Sequence, residues 1–331
     1  MKKCMNHSDN FVDDSLEGIY KAHQGFYEKG NGNTRALIHR SSIKGKVSII
    51  TGGGFGHLPL FLGYVGEGLC DGVAVGNVFT SPSCEAILDT AHSLEHENGI
   101  LFLFGNYFGD SMNFEMAAEI LEMEGIKTAT IKVSDDVASA PREEYIKRRG
   151  IAGIAYVYKI IGAAAAQGSS LEEIRDLAER VTANTATYGV AFSSCTLPGA
   201  QKPVFEIGDD EMEIGMGIHG EPGVRRQKMM ESNEIAKELC ENIVKDLGLK
   251  TGDEISVLVN GLGMTSREEL YIMYRDAGEY LECLGLKTEK VLVGEYAASL
   301  EMAGLSISII KLDKVMKELL NAQEYTPLIR F

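Results

Sequence analysis

The sequence predicts an α/β protein built as two α/β domains, each with a largely parallel or mixed sheet flanked by helices. Three observations carry that prediction. Short β-branched or apolar runs alternate with helix-length amphipathic segments, the pattern of a mostly parallel sheet with helical crossovers. Several runs end in glycine-bearing loops, as strands do at the carboxyl edge of such a sheet, where ligands usually sit. The chain has 331 residues, more than one ordinary core supports. A shift to Gly, Pro and acidic residues between Thr196 and Arg226 puts the domain change near Gly189–Pro203. That gives an N-terminal domain over 1–190 and a C-terminal domain over 191–331.

The elements follow in order. Asn10–Ala22 reads as a helix, with Phe11, Val12, Leu16, Ile19 and Tyr20 at helical spacing. Lys46–Thr51 reads as a strand running into a Gly52-Gly-Gly loop, and Val73–Phe79 as a second strand. Thr80-Ser-Pro-Ser-Cys-Glu85 offers helix-start chemistry: a hydroxyl cap, a proline in the first turn and an early glutamate. Ile100–Phe104 is a buried-strand run, Asn113–Glu124 an amphipathic helix and Lys127–Val133 another strand. Ile154–Ala166 and Ser170–Ala183 read as long helices, the second opening near a capping-box pattern at Ser169-Ser-Leu-Glu-Glu. Beyond the boundary, Val204–Ile207 reads as a short strand. Asn233–Leu247 and Glu268–Cys283 read as helices. Glu254–Asn260, Lys290–Val293 and Leu305–Ile310 read as strands, before a last helix.

Composition excludes some functions. Hydrophobic residues make up 44% and charged residues 24%, ordinary for a soluble protein. A net charge of −16 argues against direct contact with nucleic acid or an anionic membrane, which need Lys and Arg clusters. The six cysteines are scattered, with no Cys-x-x-Cys and no zinc spacing, which points to reduced thiols in a cytoplasmic protein. The N-terminus lacks the apolar run of a signal peptide, and no stretch of 18 apolar residues predicts a membrane span.

Three strand-end or loop stretches carry groups for chemistry. Gly215–Gly223 sets His219 among four glycines, with a proline behind it. Glycine lets a ligand approach the main chain, so the stretch reads equally as a site or as a surface turn. Gly52-Gly-Gly-Phe-Gly-His57 could present backbone N–H groups and His57 to a small polar ligand, or simply form a turn; it is neither a Walker loop nor a dinucleotide fingerprint. Asp110 follows the third strand and reads as a general base or as a helix cap. Asp135 and Asp136 end another strand, where turn chemistry is the default. Together the first three stretches supply an imidazole nucleophile and an acid/base pair. There is no serine nucleophile elbow, no zincin helix and no kinase phosphate loop. The sequence therefore predicts carbonyl or hydroxyl chemistry with no metal, no cofactor and no ATP site of its own.

These motifs carry a family likeness that runs nearly end to end. Gly52-Gly-Gly-x-Gly-His57, Phe79-Thr-Ser-Pro82, Asn106-Tyr-x-Gly-Asp110, Asp135-Asp-Val-Ala138, Arg148-Arg-Gly150, Gly217-Ile-His-Gly-Glu-Pro-Gly223 and Asn260-Gly-Leu-Gly263 occur in one order. The chain resembles the dihydroxyacetone-binding subunit of the bacterial dihydroxyacetone kinases, the DhaK family. The resemblance implies that a ring nitrogen of His219 adds to the ketone carbon of dihydroxyacetone to give a covalent hemiaminal. It implies that His57 and Asp110 hydrogen-bond the hydroxyls and act on the proton of the one to be phosphorylated. Gly53 and Gly54 would lie beside the ligand, with Phe55, Gly56 and Gly105 at the same edge. The phosphoryl group would come from a separate nucleotide-bearing kinase subunit, and the chain would form a homodimer.

Three positions depart from the family pattern. Phe55 stands for a serine, Leu58 for a glutamate and Gly105 for a lysine, which removes polar groups from the site edge. Two functions stay open. One is a sensor paralogue, a coactivator that binds dihydroxyacetone and partners a TetR-like transcription factor driving the kinase operon. The other is the substrate subunit of a multi-subunit kinase.

Overall fold

The structure is a computed structural model and describes residues 2–331. Two six-stranded mixed sheets divide the chain. The first is built from β1 (Tyr27–Lys29), β2 (Ala36–His39), β3 (Ser48–Phe55), β4 (Gly72–Val78), β5 (Ile100–Gly105) and β6 (Thr128–Val133), in spatial order β1-β2-β4-β3-β5-β6. β4, β3, β5 and β6 run parallel, while β2 pairs antiparallel with both β1 and β4. The second sheet holds β7 (Thr185–Ala191), β8 (Glu211–Ile214), β9 (Arg225–Lys228), β10 (Glu254–Gly261), β11 (Lys287–Gly294) and β12 (Gly304–Lys311), in order β11-β10-β12-β7-β8-β9. Only its β10–β11 pair is parallel.

Helices cover both sheets. α2 (Cys84–His92) and α3 (Phe108–Met123) lie on one face of the first sheet, over a core that includes Ile50, Phe102, Phe104 and Phe114. α1 (Phe11–Ala22), α4 (Ile154–Ala166) and α5 (Leu171–Ala183) pack on its other face. α4 is apolar all round and buried from Ile154 to Ala165, as such a helix must be. It is sandwiched: its cluster takes in Ile49 and Leu101 from the first sheet and Leu258 and Ile310 from the second. Its lone charge, Lys159, is fully buried and donates to the Leu319 and Ala322 carbonyls at the end of α8 (Lys314–Leu320). α6 (Ser232–Leu247) and α7 (Arg267–Cys283) cover the outer face of the second sheet through Leu239, Ile243, Leu270 and Met273.

Most expected elements are present, with corrections that bear on the site. Gly52, Gly53 and Gly54 do not form a loop; they are the end of β3 itself. Each is needed because another chain segment presses on it. A Cβ at Gly53 would lie 2.0 Å from the Phe61 ring, and one at Gly54 2.7 Å from the Thr80 nitrogen. Asp110 is no helix cap: α3 starts at Phe108, five residues before the expected Asn113, and Asp110 sits inside its first turn. Pro82 precedes the α2 cap, which is Ser83 accepting from the Ala86 N–H. Val204–Ile207 forms no strand. The Val204 and Phe205 N–H groups are satisfied by the Cys195 carbonyl and the Ser194 hydroxyl instead of a ladder.

Candidate functional site

Two histidines from different sheets meet edge to face. The His57 and His219 ring centroids lie 4.7 Å apart at 80°. His57 follows β3, and His219 lies in the glycine-rich segment after β8. Phe79 stacks on His57 at 4.8 Å and 17°, and the Tyr107 ring stands edge-on to His219 at 4.7 Å and 83°. The chamber is thus walled by aromatic rings. Phe79 holds φ +54°, a region that non-glycine residues rarely adopt, and its ring abuts Gly56, itself at φ +103°. Backbone strain of this kind clusters at ligand sites.

A short loop fixes the histidines. His57 Nδ1 lies 2.8 Å from the Ala298 carbonyl. A carbonyl only accepts, so Nδ1 carries the hydrogen and Nε2 keeps its lone pair. Burial, reinforced by nearby His219, pushes the His57 pKa down to about 3, so the ring is neutral at physiological pH. The Ala298 N–H returns a bond to the His57 carbonyl at 3.2 Å, and the Leu300 N–H one to Gly56 at 2.8 Å. The Ser299 hydroxyl donates to the Ile218 carbonyl, next to His219. Asn260, fully buried at the end of β10, shapes this loop. Its Oδ1 accepts from the Tyr296 and Ala297 N–H groups, and its Nδ2 donates to the Ala297 carbonyl.

His219 is oriented by Glu221. Glu221 Oε1 takes the Nδ1 hydrogen at 2.9 Å, and Oε2 takes the His219 backbone N–H at 2.9 Å. Burial works against the Glu221 charge, but His219 and Arg149 outweigh it and hold the carboxyl down to about 2. Arg149 is itself anchored on Asp136, through Nε at 2.8 Å. With its hydrogen on Nδ1, the neutral His219 ring keeps its lone pair on Nε2.

Three buried polar atoms in the chamber lack a partner: His57 Nε2, Asp110 Oδ1 and the Tyr107 hydroxyl. Burial pushes the Asp110 carboxyl up to about 6, against the opposing pull of Ser81 and His219. An unsatisfied buried polar group costs about 1–3 kcal/mol, and native proteins keep few of them. All three are left without a hydrogen-bond partner, and two of them belong to rings packed edge to face with His219.

The expected site residues divide. The structure packs the His57 ring against the His219 ring, with the Asp110 carboxyl buried near enough for His219 to pull on its pKa. Gly53, Gly54 and Gly56 support the chamber by admitting Phe61, Phe79 and Thr80. Gly105 lies against Tyr107, whose ring a Cβ there would meet at 3.3 Å. Phe55 points elsewhere: its ring is buried edge-on against Phe11 of α1, at 6.1 Å. Asp135 is structural, accepting from the Ile151 and Gly153 N–H groups. Sequence reasoning missed Tyr107, Phe79, Glu221 and Arg149 as site residues. Each stands within a motif already picked out, which was the available signal.

The chain matches the Dak1 domain over residues 17–328. It is 45% identical over 313 residues to a dihydroxyacetone-binding subunit, DhaK, of a PTS-dependent dihydroxyacetone kinase of Listeria innocua, covering 95% of each chain. Among solved structures it superposes on the dihydroxyacetone kinase operon co-activator DhaQ with a TM-score of 0.88 and 31% identity, covering 96% of this chain and 97% of that one. It also superposes on the dihydroxyacetone kinase of C. freundii with a TM-score of 0.88 and 29% identity, over 98% of this chain and 59% of the kinase.

Proposed function

The chain belongs to the Dak1 domain family, and from that premise we propose that it is a cytoplasmic dihydroxyacetone-binding protein that captures the ketone covalently on His219. The observation that carries this reading is the free Nε2 of His219 beside three unpartnered buried polar atoms. The Nε2 lone pair adds to the ketone carbon, the π pair of the carbonyl moves to its oxygen, and that oxygen takes a proton from solvent. The positive charge left on the imidazole rests against Glu221. A polyol such as glycerol offers no carbon to attack and is refused.

For the fate of the captured ketone, we propose sensing: the protein is a coactivator paralogue that passes the liganded state to a TetR-like transcription factor. Support comes from the site edge, where Phe55 and Leu58 pack into apolar core and Gly105 brings no side chain. No charged group then stands at these three positions to serve phosphoryl transfer. The likeness to a kinase operon co-activator supports the same reading. The second reading, substrate subunit of a multi-subunit kinase with a nucleotide-bearing partner, is favoured by the 45% identity to the Listeria subunit. The two separate in one assay, in which the protein, dihydroxyacetone and a nucleotide-charged kinase subunit are mixed and product phosphate is followed. The sensor reading expects capture without turnover. Turnover near that of a standard kinase subunit assigns the chain to the kinase.

A further inference from the structure

The three unpartnered atoms around His219 differ in what they can do. His57 Nε2 can only accept, because its hydrogen sits on Nδ1 facing the Ala298 carbonyl. Asp110 Oδ1 only accepts while the carboxyl is ionised. The phenol of Tyr107 is a donor, and its burial holds the proton in place, well above the ordinary tyrosine range. Attack on a ketone carbon develops negative charge on the carbonyl oxygen, and that oxygen needs a donor. Acceptor-only groups serve the ligand's hydroxyl hydrogens instead. Position agrees with this division of labour. Tyr107 is the extended residue that opens α3, and its backbone N–H is tied to the Gly105 carbonyl at 2.8 Å. Its ring is thereby stood against the imidazole that makes the attack. Arg149, the nearby cation, is already committed to Asp136, Glu221 and the Gly215 carbonyl.

We propose that Tyr107 is a catalytic residue of ketone capture, donating its hydroxyl hydrogen bond to the carbonyl oxygen as His219 Nε2 bonds to the carbon. The inference rests on capture at His219 and assigns the group that stabilises the charge this step creates. The tyrosine keeps its proton throughout; one proton from solvent neutralises the oxygen once the C–N bond has formed.

The test uses the full chain, the Tyr107→Phe variant and dihydroxyacetone labelled with carbon-13 at the ketone carbon. NMR reads conversion of the trigonal ketone carbon to the tetrahedral adduct, and thermal melting without ligand reads the hydroxyl's structural role. Loss of the donor is expected to weaken adduct formation about 10- to 100-fold. The ligand-free melting temperature should stay level or rise, since an unpartnered hydroxyl leaves the interior. Full adduct formation by Tyr107→Phe overturns the assignment and leaves capture at His219 standing. A lower melting temperature for the ligand-free variant also overturns it, by showing that the hydroxyl already has a structural partner. Wild-type protein that forms no adduct, matching a His219→Ala control, overturns capture itself and removes the oxygen assigned to Tyr107.

Discussion

Replacing Glu221 with glutamine changes a few atoms and should disable the nucleophile. The carboxylate faces two donors, the His219 backbone N–H and Nδ1–H, each at 2.9 Å. Glutamine offers one acceptor oxygen and one NH2 group, so it cannot satisfy both. The backbone N–H cannot change its role. The oxygen therefore stays there, the NH2 turns towards Nδ1, and the histidine tautomer with its hydrogen on Nε2 is favoured. That tautomer has no lone pair to give the ketone. Holding the Glu221 carboxyl near 2 instead of 4.5 corresponds to about 3 kcal/mol in favour of the charged form. A lost charge-assisted hydrogen bond costs about 1.5–3 kcal/mol. The hydrogen-bond figure places the loss of adduct formation at roughly 10- to 150-fold. The sign with pH follows: the depressed pKa stabilises wild type above about 4.5, and that contribution drains away as pH falls towards 2. Nitrogen-15 NMR of the imidazole reads the tautomer, and carbon-13 NMR reads the adduct. A Glu221→Gln protein that keeps its hydrogen on Nδ1 and forms the adduct as wild type does would refute the reasoning.

Two further outcomes test the chamber without ligand. Asp110 has its folded pKa raised to about 6 from an ordinary 3.8, so the folded state holds a proton the unfolded chain releases. Stability is then lost as pH rises from about 4 to 6, with the full cost above that range. Asp110→Asn should exceed wild type by about 1–3 kcal/mol in urea unfolding at pH 8, the difference shrinking towards pH 4; a difference independent of pH contradicts this. Gly53→Ala should cost about 1–3 kcal/mol or more, because its Cβ would stand 2.0 Å from the Phe61 ring. In a Phe61→Ala background the same change should cost little, and an undiminished cost in that double-mutant cycle would show that the ring is not the obstacle.

The long periodic segments were legible in the sequence because their burial follows from local pattern. α4 and α5 lie within a residue of expectation, and Ser170 and Glu173 form the capping box. What local pattern could not supply is pairing over distance. β2 and β8 are short runs, β7 is completed by β12 far along the chain, and β9 is Arg-Arg-Gln-Lys, polar on both faces. The glycines of β3 look like a loop in sequence; what requires them, the Phe61 and Phe114 rings and the Phe79–Thr80 backbone, comes from elsewhere. At the site, His57, Asp110 and His219 stood out by residue type. Tyr107 and Ala298 did not, since one offers only an unpaired hydroxyl and the other a backbone carbonyl.

The loop at residues 296–300 has a consequence for how a ketone enters and leaves. It grips the end of β3 through His57 and Gly56 and the His219 segment through Ile218, while Asn260 roots it in β10. Swinging one sheet away from the other would break those bonds, tear α4 from half of its packing and release the His57 tautomer that the site uses. Parting of the two sheets is thereby disfavoured, and the His219 segment carries its own cover, with Val204 and Phe205 lying over Gly220. For the capture proposed above, the expected consequence is that release of the ketone does not require the two halves of the molecule to part.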